Sequence, residues 1–276
     1  MALRINTNLA SISAQKHLAS STGMLGKSYE KLASGLRVVR AADDAAGLGI
    51  SERMRARVRS IAQASRNATD GISLVQTGEG GLNEINSLLN RMRQLAVQSA
   101  NGTASGSDQD TMDEEFQQLV VEIDRIAQAT QFNENNLLDG SLGTVTLQIG
   151  ENTVSGVDTM DISLTSARTS ALTIDSLDIG SGGDTNQAIT NIDSAITAVT
   201  QLRGLLGAYQ NRLESTVNNL AVSVENLQAA ESQIRDVDVA EETAKLTRFS
   251  IMQQAGISVL AQANVQPQAA LSLLGG

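Results

Sequence analysis

Taken at intervals of seven from Met54, the chain gives Met54, Ile61, Ala68, Val75, Leu82, Leu89 and Ala96, all apolar. Val58, Ile72, Ile85 and Met92 fall between them, three or four residues away, and no proline interrupts residues 48–99. An apolar seam of period 3.5 held this long predicts one helix built to lie along other helices. About 50 residues at roughly 1.5 Å each make a rod on the order of 75 Å, longer than an ordinary compact domain buries, so its partners must be long too. The same chain supplies one. From Ile192 the sevens run Ile192, Val199, Leu206, Leu213, Leu220, Leu227 and Ile234, again without proline. Two seams, one in each half, predict two helices packed side by side with the middle of the chain connecting them.

Aromatic residues make up only 2 % of the 276 residues. Large rings anchor compact cores, so their scarcity favours a slender, aliphatic bundle. The net charge of −10 and a pI near 4.6 oppose a nucleic-acid partner, whose phosphates demand basic surface. There is no cysteine, hence no disulfide and no thiolate metal site. No run approaches 18 apolar residues, so no membrane span is expected, and the first 18 residues, MALRINTNLASISAQKHL, lack the apolar core of a secretory signal. The amphipathic ends are too poor in lysine, arginine and aromatics for a membrane anchor.

Residues 2–33 carry an apolar stripe of Ile5, Leu9, Ile12, Leu18, Leu25 and Leu32, weakened midway by Gly23 and Gly26. Ser34-Gly35 breaks this helix, and Asp43 or Asp44 caps the next. The long helix opens with Arg53, Arg55, Arg57 and Arg59. These are either a solvated surface or the partners of acidic residues on a neighbouring subunit. A turn at 101–110 leads to a helix over about 111–130 with Phe116, Leu119, Ile123 and Ile126 on its apolar face. Alternation at Val145, Leu147 and Ile149, repeated at Met160, Ile162 and Leu164, predicts a small β-hairpin, which Leu172 and Ile174 extend to a third short strand. The second seam helix covers about 185–234. A last amphipathic helix follows over 240–274, with Leu246, Phe249, Val259, Leu260, Leu271 and Leu274, and Pro267 is expected to kink or end it.

Catalytic chemistry is missing from this pattern. His17, the only histidine, has no partner residues around it. GLGISE at 47–52 has Glu52 where a dinucleotide fingerprint needs glycine, and GEGG at 78–81 lies inside the helical seam. The pairs Asp43/Asp44 and Asp236/Asp238 stand at helix starts, where capping explains them. No enzyme, no metal site and no cofactor is expected.

The ends and their flanks resemble bacterial flagellin. The segments that carry the likeness are LRINTNLASISAQKHL, LASGLRVVRAADDAAGLGISERMR, NATDGISLVQTGEGGLNEINSLLNRMRQLAVQSANGT, DRIAQATQFNENNLLDG, NLQAAESQIRDVDVAEE and VLAQANVQPQAALSLL. They fall within 1–140 and 190–274. The variable outer domains usual in the middle of that family are missing, and Val265-Gln266 is inverted against the family's common order.

The resemblance implies a mainly α fold: an elongated antiparallel helical bundle or coiled coil with a small β-hairpin region, whose terminal helices pair in an assembled filament. The expected division is 1–43 and 235–276 as the two halves of an inner, channel-lining domain. Residues 44–137, 138–184 and 185–234 then make the shell domain, with the hairpin at its centre. It implies an extracellular subunit of the bacterial flagellum, exported unfolded through the flagellar type III apparatus. The implied partners are further copies of itself, an export chaperone, cap and junction proteins, and the vertebrate Toll-like receptor for flagellin, at Arg91, Leu95 and Glu115. The hook–filament junction protein and a coiled-coil adaptor that forms no filament are the alternatives. A lone pair of helices buries one side of each terminal stripe, which does not offset ordering some 65 residues at about 1–2 kcal/mol each. Both ends are therefore expected to be largely disordered in the monomer and to become helical only when neighbouring copies cover them.

Overall fold

The computed structural model describes residues 7–274, with side chains through Val265. Within that span run five helices, α1 (Leu9–Ser34), α2 (Ala45–Ser99), α3 (Gly106–Ala129), α4 (Thr185–Arg235) and α5 (Val239–Leu274). Two small antiparallel hairpins lie between α3 and α4: β1 (Gln131–Phe132) with β2 (Asn135–Asn136), and β3 (Thr144–Gln148) with β4 (Thr159–Ser163). No helix among the described residues is long and apolar enough to cross a membrane.

The chain divides into two compact units. The first runs up to Ala56 and resumes at Asn226. The second is residues 57–225. Residues 45–56 of α2 and 226–235 of α4 thus belong with the chain ends.

The second unit holds nearly all the core. Ile61, Ala68, Val75, Leu82, Leu89 and Ala96 of α2 are buried, as are Ile192, Val199, Leu206 and Leu213 of α4. Phe116 and Ile123 of α3, Leu137, Leu138, Ile162 and Ile174 lie at 0–2 % exposure in the same cluster. The seam of α4 fades beyond Leu213: Leu220, Leu227 and Ile234 are only half-buried.

The helix starts are chemical. Asp44 accepts from the Gly47 N–H at 2.8 Å and so caps α2, while Asp43 accepts from the Arg40 N–H at 3.0 Å and closes the turn before it. α3 begins earlier than the apolar pattern predicts, because Ser105 and Asp108 form a capping box, each side chain bonding the other's backbone N–H.

The middle of the chain departs from the expected three strands. β3 and β4 pair in the register Val145↔Ile162 and Leu147↔Met160. Leu172 and Ile174 are buried but form no strand. Their N–H groups are taken by the Arg168 and Thr169 carbonyls in local turns, and Thr173 sits in the left-handed region at φ 55°. The unforeseen hairpin is β1–β2, turned by Asn133 and Glu134 at φ 48° and 67°. That two-residue turn carries the twist paired strands prefer. It leads into Leu137 and Leu138, which pack on α2. A Cβ on Gly81 would stand 2.5 Å from Thr130 Oγ1 and 2.9 Å from Leu138 Cδ1. GEGG is thus a seat in the helix for this crossing.

Two of the four arginines that open α2 find partners in their own chain. Arg57 donates to both oxygens of Glu151 at 2.5–3.1 Å, and Arg55 stands 3.6 Å from Glu231. These two thus have acidic partners within the chain, since the hairpin loop and the end of α4 bring carboxylates within reach. Of the two outcomes expected at Pro267, an end to the helix is the one the structure excludes, for α5 continues through it to Leu274.

Candidate functional site

In the first unit α1 and α5 pair closely, with Cα atoms within 8 Å of each other across the two helices. The seam on α1 is made of small residues rather than of the leucines. Ser11, Ala14, Ser21 and Ser28 are its buried positions, the last three at sevens. Leu18, Leu25 and Leu32 lie half-buried along the margin. From α5 come Glu242, Leu246, Phe249, Gly256, Leu260 and Ala263 at heptad spacing, all buried or half-buried. A Cβ on Gly256 would lie 3.4 Å from Leu18 Cδ1. The signal for this seam was in the sequence as serine and alanine at sevens. A search for apolar stripes passes over it.

Polar bonds cross the pair at its tip. The Asn8 amide donates to the Ala263 carbonyl at 2.7 Å, and the Ser11 hydroxyl donates to Asn264 Oδ1 at 2.8 Å. Further along, Gln253 donates to Thr22 at 3.3 Å. At the other end the two connectors clip together. Arg37 N–H donates to the Arg235 carbonyl at 2.6 Å, and Val237 N–H to the Gly35 carbonyl at 3.0 Å. Gly35 makes the turn in the left-handed region at φ 72°. Asp238 caps α5 through the Ala240 and Glu241 N–H groups. Arg235 donates to Glu52 at 2.6 Å, and this bond holds the Glu52 carboxyl below its ordinary range.

The outer faces of the pair remain open. Leu9 is 76 % exposed and Ile12 56 %, and Met24, Tyr29, Ile251, Met252, Ile257 and Val265 are exposed as well. Val259, expected inside the stripe with Leu260, is 58 % exposed, while Leu246, Phe249 and Leu260 face the pair. Ile5 lies outside the described residues, as do the side chains of Leu271 and Leu274. Against this open surface, the buried apolar residues of the first unit are, among the described residues, Ala14, Val38 and Ala263. The second unit buries about thirty. Exposed apolar residues scattered singly are ordinary, but a helix pair with more large apolar side chains outside than inside is a surface waiting for cover.

In the second unit Arg91 of α2 and Glu115 of α3 form an exposed ion pair at 2.7 Å. Leu95, one turn along from Arg91, is 2 % exposed and belongs to the core. Arg91 and Leu95, four residues apart on α2, therefore share no exposed face, because the seam of α2 turns Leu95 inward. His17 is exposed on α1. Among the described residues no group of three or more His, Asp or Glu is placed to hold a metal ion. The arrangement is one for binding other surfaces.

The pattern of the bacterial flagellin N-terminal helical region matches residues 5–142, and that of the bacterial flagellin C-terminal helical region matches residues 189–274. The chain belongs to the bacterial flagellin family. Flagellin of Halalkalibacterium halodurans is 51 % identical over 272 residues, covering 98 % of this chain and 99 % of that one. The flagellar filament 33 kDa core protein of Treponema phagedenis is 44 % identical over 286 residues, 98 % of this chain and 99 % of that one. Flagellin of Bacillus subtilis is 43 % identical over 304 residues, 99 % of this chain and 100 % of that one. Among solved structures, the crystal structure of Bacillus cereus flagellin superposes with a TM-score of 0.51 at 34 % identity, covering 60 % of this chain and 94 % of that one. Flagellins are structural proteins, so this chain is not an enzyme. Its mainly α fold with a small antiparallel hairpin is the family's.

Proposed function

We propose that this chain is the repeating subunit of an extracellular bacterial flagellar filament, joined to further copies of itself through the outer faces of α1 and α5. The observation that carries the reading is the imbalance of the first unit, which exposes Leu9, Ile12, Ile251, Ile257 and Val259 while burying, among the described residues, just three apolar side chains. The relatives named above, flagellins and a filament core protein, support the same end point. The contacts must be head-to-tail and non-closing, since those are the ones that generate filaments. Residues 1–43 and 235–276 make the inner layer of that filament, and 44–234 with the hairpin its shell. The subunit leaves the cell unfolded through the flagellar type III apparatus with an export chaperone, and meets cap and junction proteins at the filament's ends. Sedimentation of purified protein before and after seeding tests the central reading: a polymer should pellet, and a species that stays small under all seeding conditions contradicts it.

A second role rests on the Arg91–Glu115 pair, exposed on neighbouring helices. It offers both charges to the vertebrate Toll-like receptor for flagellin, with Leu95 supporting the surface from beneath. Arg91→Ala should weaken receptor signalling by monomers, and an unchanged dose response removes Arg91 from that role.

A further inference from the structure

The tip of the α1–α5 pair solves a backbone problem set by a proline. In a helix the carbonyl of residue 263 takes its hydrogen bond from the N–H of residue 267. Position 267 is proline, which has no N–H, yet α5 continues to Leu274. The Ala263 carbonyl instead accepts from the side-chain amide of Asn8, at 2.7 Å. Ala263 is 6 % exposed, and the bond to its carbonyl is partly buried. The same Asn8 uses its other atom, Oδ1, to accept from the Ser11 N–H at 3.0 Å and cap α1. Beside it, the Ser11 hydroxyl donates to Asn264 at 2.8 Å. One amide thus starts one helix and repairs the other, and it can do both in a single alignment of the two.

We propose that Asn8 is a positioning residue for assembly: Pro267 opens a carbonyl on α5, and Asn8 occupies it to fix the register of α1 against α5. Without the proline, residue 267 would satisfy the carbonyl and α1 would lose this reference point on α5. With it, sliding the helices by one turn leaves a partly buried acceptor without this partner. The register in turn sets which apolar side chains share the outer face, so the proposal rests on the filament reading given above.

A four-protein comparison of the full chain tests it: parent, Asn8→Ser, Pro267→Ala and the double variant. Serine keeps the cap on α1 but cannot donate across to residue 263, whereas alanine at 267 restores that carbonyl's own donor. The readout is the minimum protein concentration that supports growth from parent filament seeds. Asn8→Ser should raise it about tenfold, the scale of one lost bond to a sheltered carbonyl. In the Pro267→Ala background the same change should cost less than about threefold. Should Pro267→Ala not elongate filaments, the fraction of each variant incorporated when mixed with excess parent monomer gives the same comparison. The proposal is overturned if Asn8→Ser assembles like the parent, or if its penalty is equal with proline and with alanine at 267. Failure of the parent itself to polymerise would strike the filament reading instead.

Discussion

At the residue scale, neighbouring glycines of one helix have opposite roles. Gly80 has no atom within 4 Å of where a Cβ would stand, whereas a Cβ on Gly81 would crowd Thr130 and Leu138. Gly80→Ala should therefore stabilise the second unit by up to about 1 kcal/mol through helix propensity. Gly81→Ala should destabilise it by about 1–3 kcal/mol through overpacking. Thermal unfolding midpoints of the two variants, moving in opposite directions from the parent, check both. Asn8 shows what could not be read residue by residue from the sequence. As a cap for α1 it is ordinary, but its link to position 263 joins parts of the chain 255 residues apart. Only the folded pair reveals it. Serine and alanine at sevens in α1 were visible and carried the seam, but a reading weighted by hydrophobicity favours Leu18, Leu25 and Leu32.

At the element scale, the long helices were legible because period 3.5 persists over many turns and no proline interrupts it. The boundaries of α3 and the β1–β2 hairpin were not, because polar side chains set them: the Ser105–Asp108 box and the Asn133–Glu134 turn carry no apolar period. Leu172 and Ile174 mimic a strand's alternation because local turns bury both. The connectors depend on charge as well as on backbone pairing. Glu52 has an ordinary pKa near 4.5 and is held below it by the bond from Arg235. A depressed carboxylate contributes stability above its unfolded value, and that contribution is lost as pH falls through the lowered folded value. Acidification from neutral to below the ordinary carboxylate range should thus loosen the link between the start of α2 and the end of α4. Asp193, bonded to Arg93, and Asp124, bonded to Arg168, are depressed in the same direction, so the second unit should lose their contribution as pH falls through their own lowered values. Glu52→Gln should reduce the acid sensitivity of filaments, read as turbidity against pH. An acid profile identical to the parent's would remove Glu52 from this role.

At the scale of the whole molecule, the two units have unlike economies: the second carries its own core, and the first shows its apolar side chains to the surroundings. Ordering a helix pair costs about 1–2 kcal/mol per residue in backbone entropy, and the seam of Ser11, Ala14, Ser21 and Ser28 buries little against it. Helicity of the ends should consequently rise on assembly, seen as more helical circular dichroism per residue in polymer than in monomer. Protease should trim the monomer's ends faster than its 57–225 core, and equal resistance would argue against coupled folding. The filament itself should be smooth, because only a short hairpin region joins the parts of the chain matched as N- and C-terminal flagellin regions, over 5–142 and 189–274. Knobs standing well outside the shell in micrographs would contradict this. The most direct test of assembly through the terminal faces is seeded growth, followed by electron microscopy, of the parent and of an Ile12→Glu, Val259→Glu double variant. Both substitutions lie on exposed positions outside the second unit, so the thermal midpoint of that unit serves as a folding control and should not move. The account predicts long filaments from the parent and none from the variant. Filaments of normal length and number from a variant with both faces charged would contradict it.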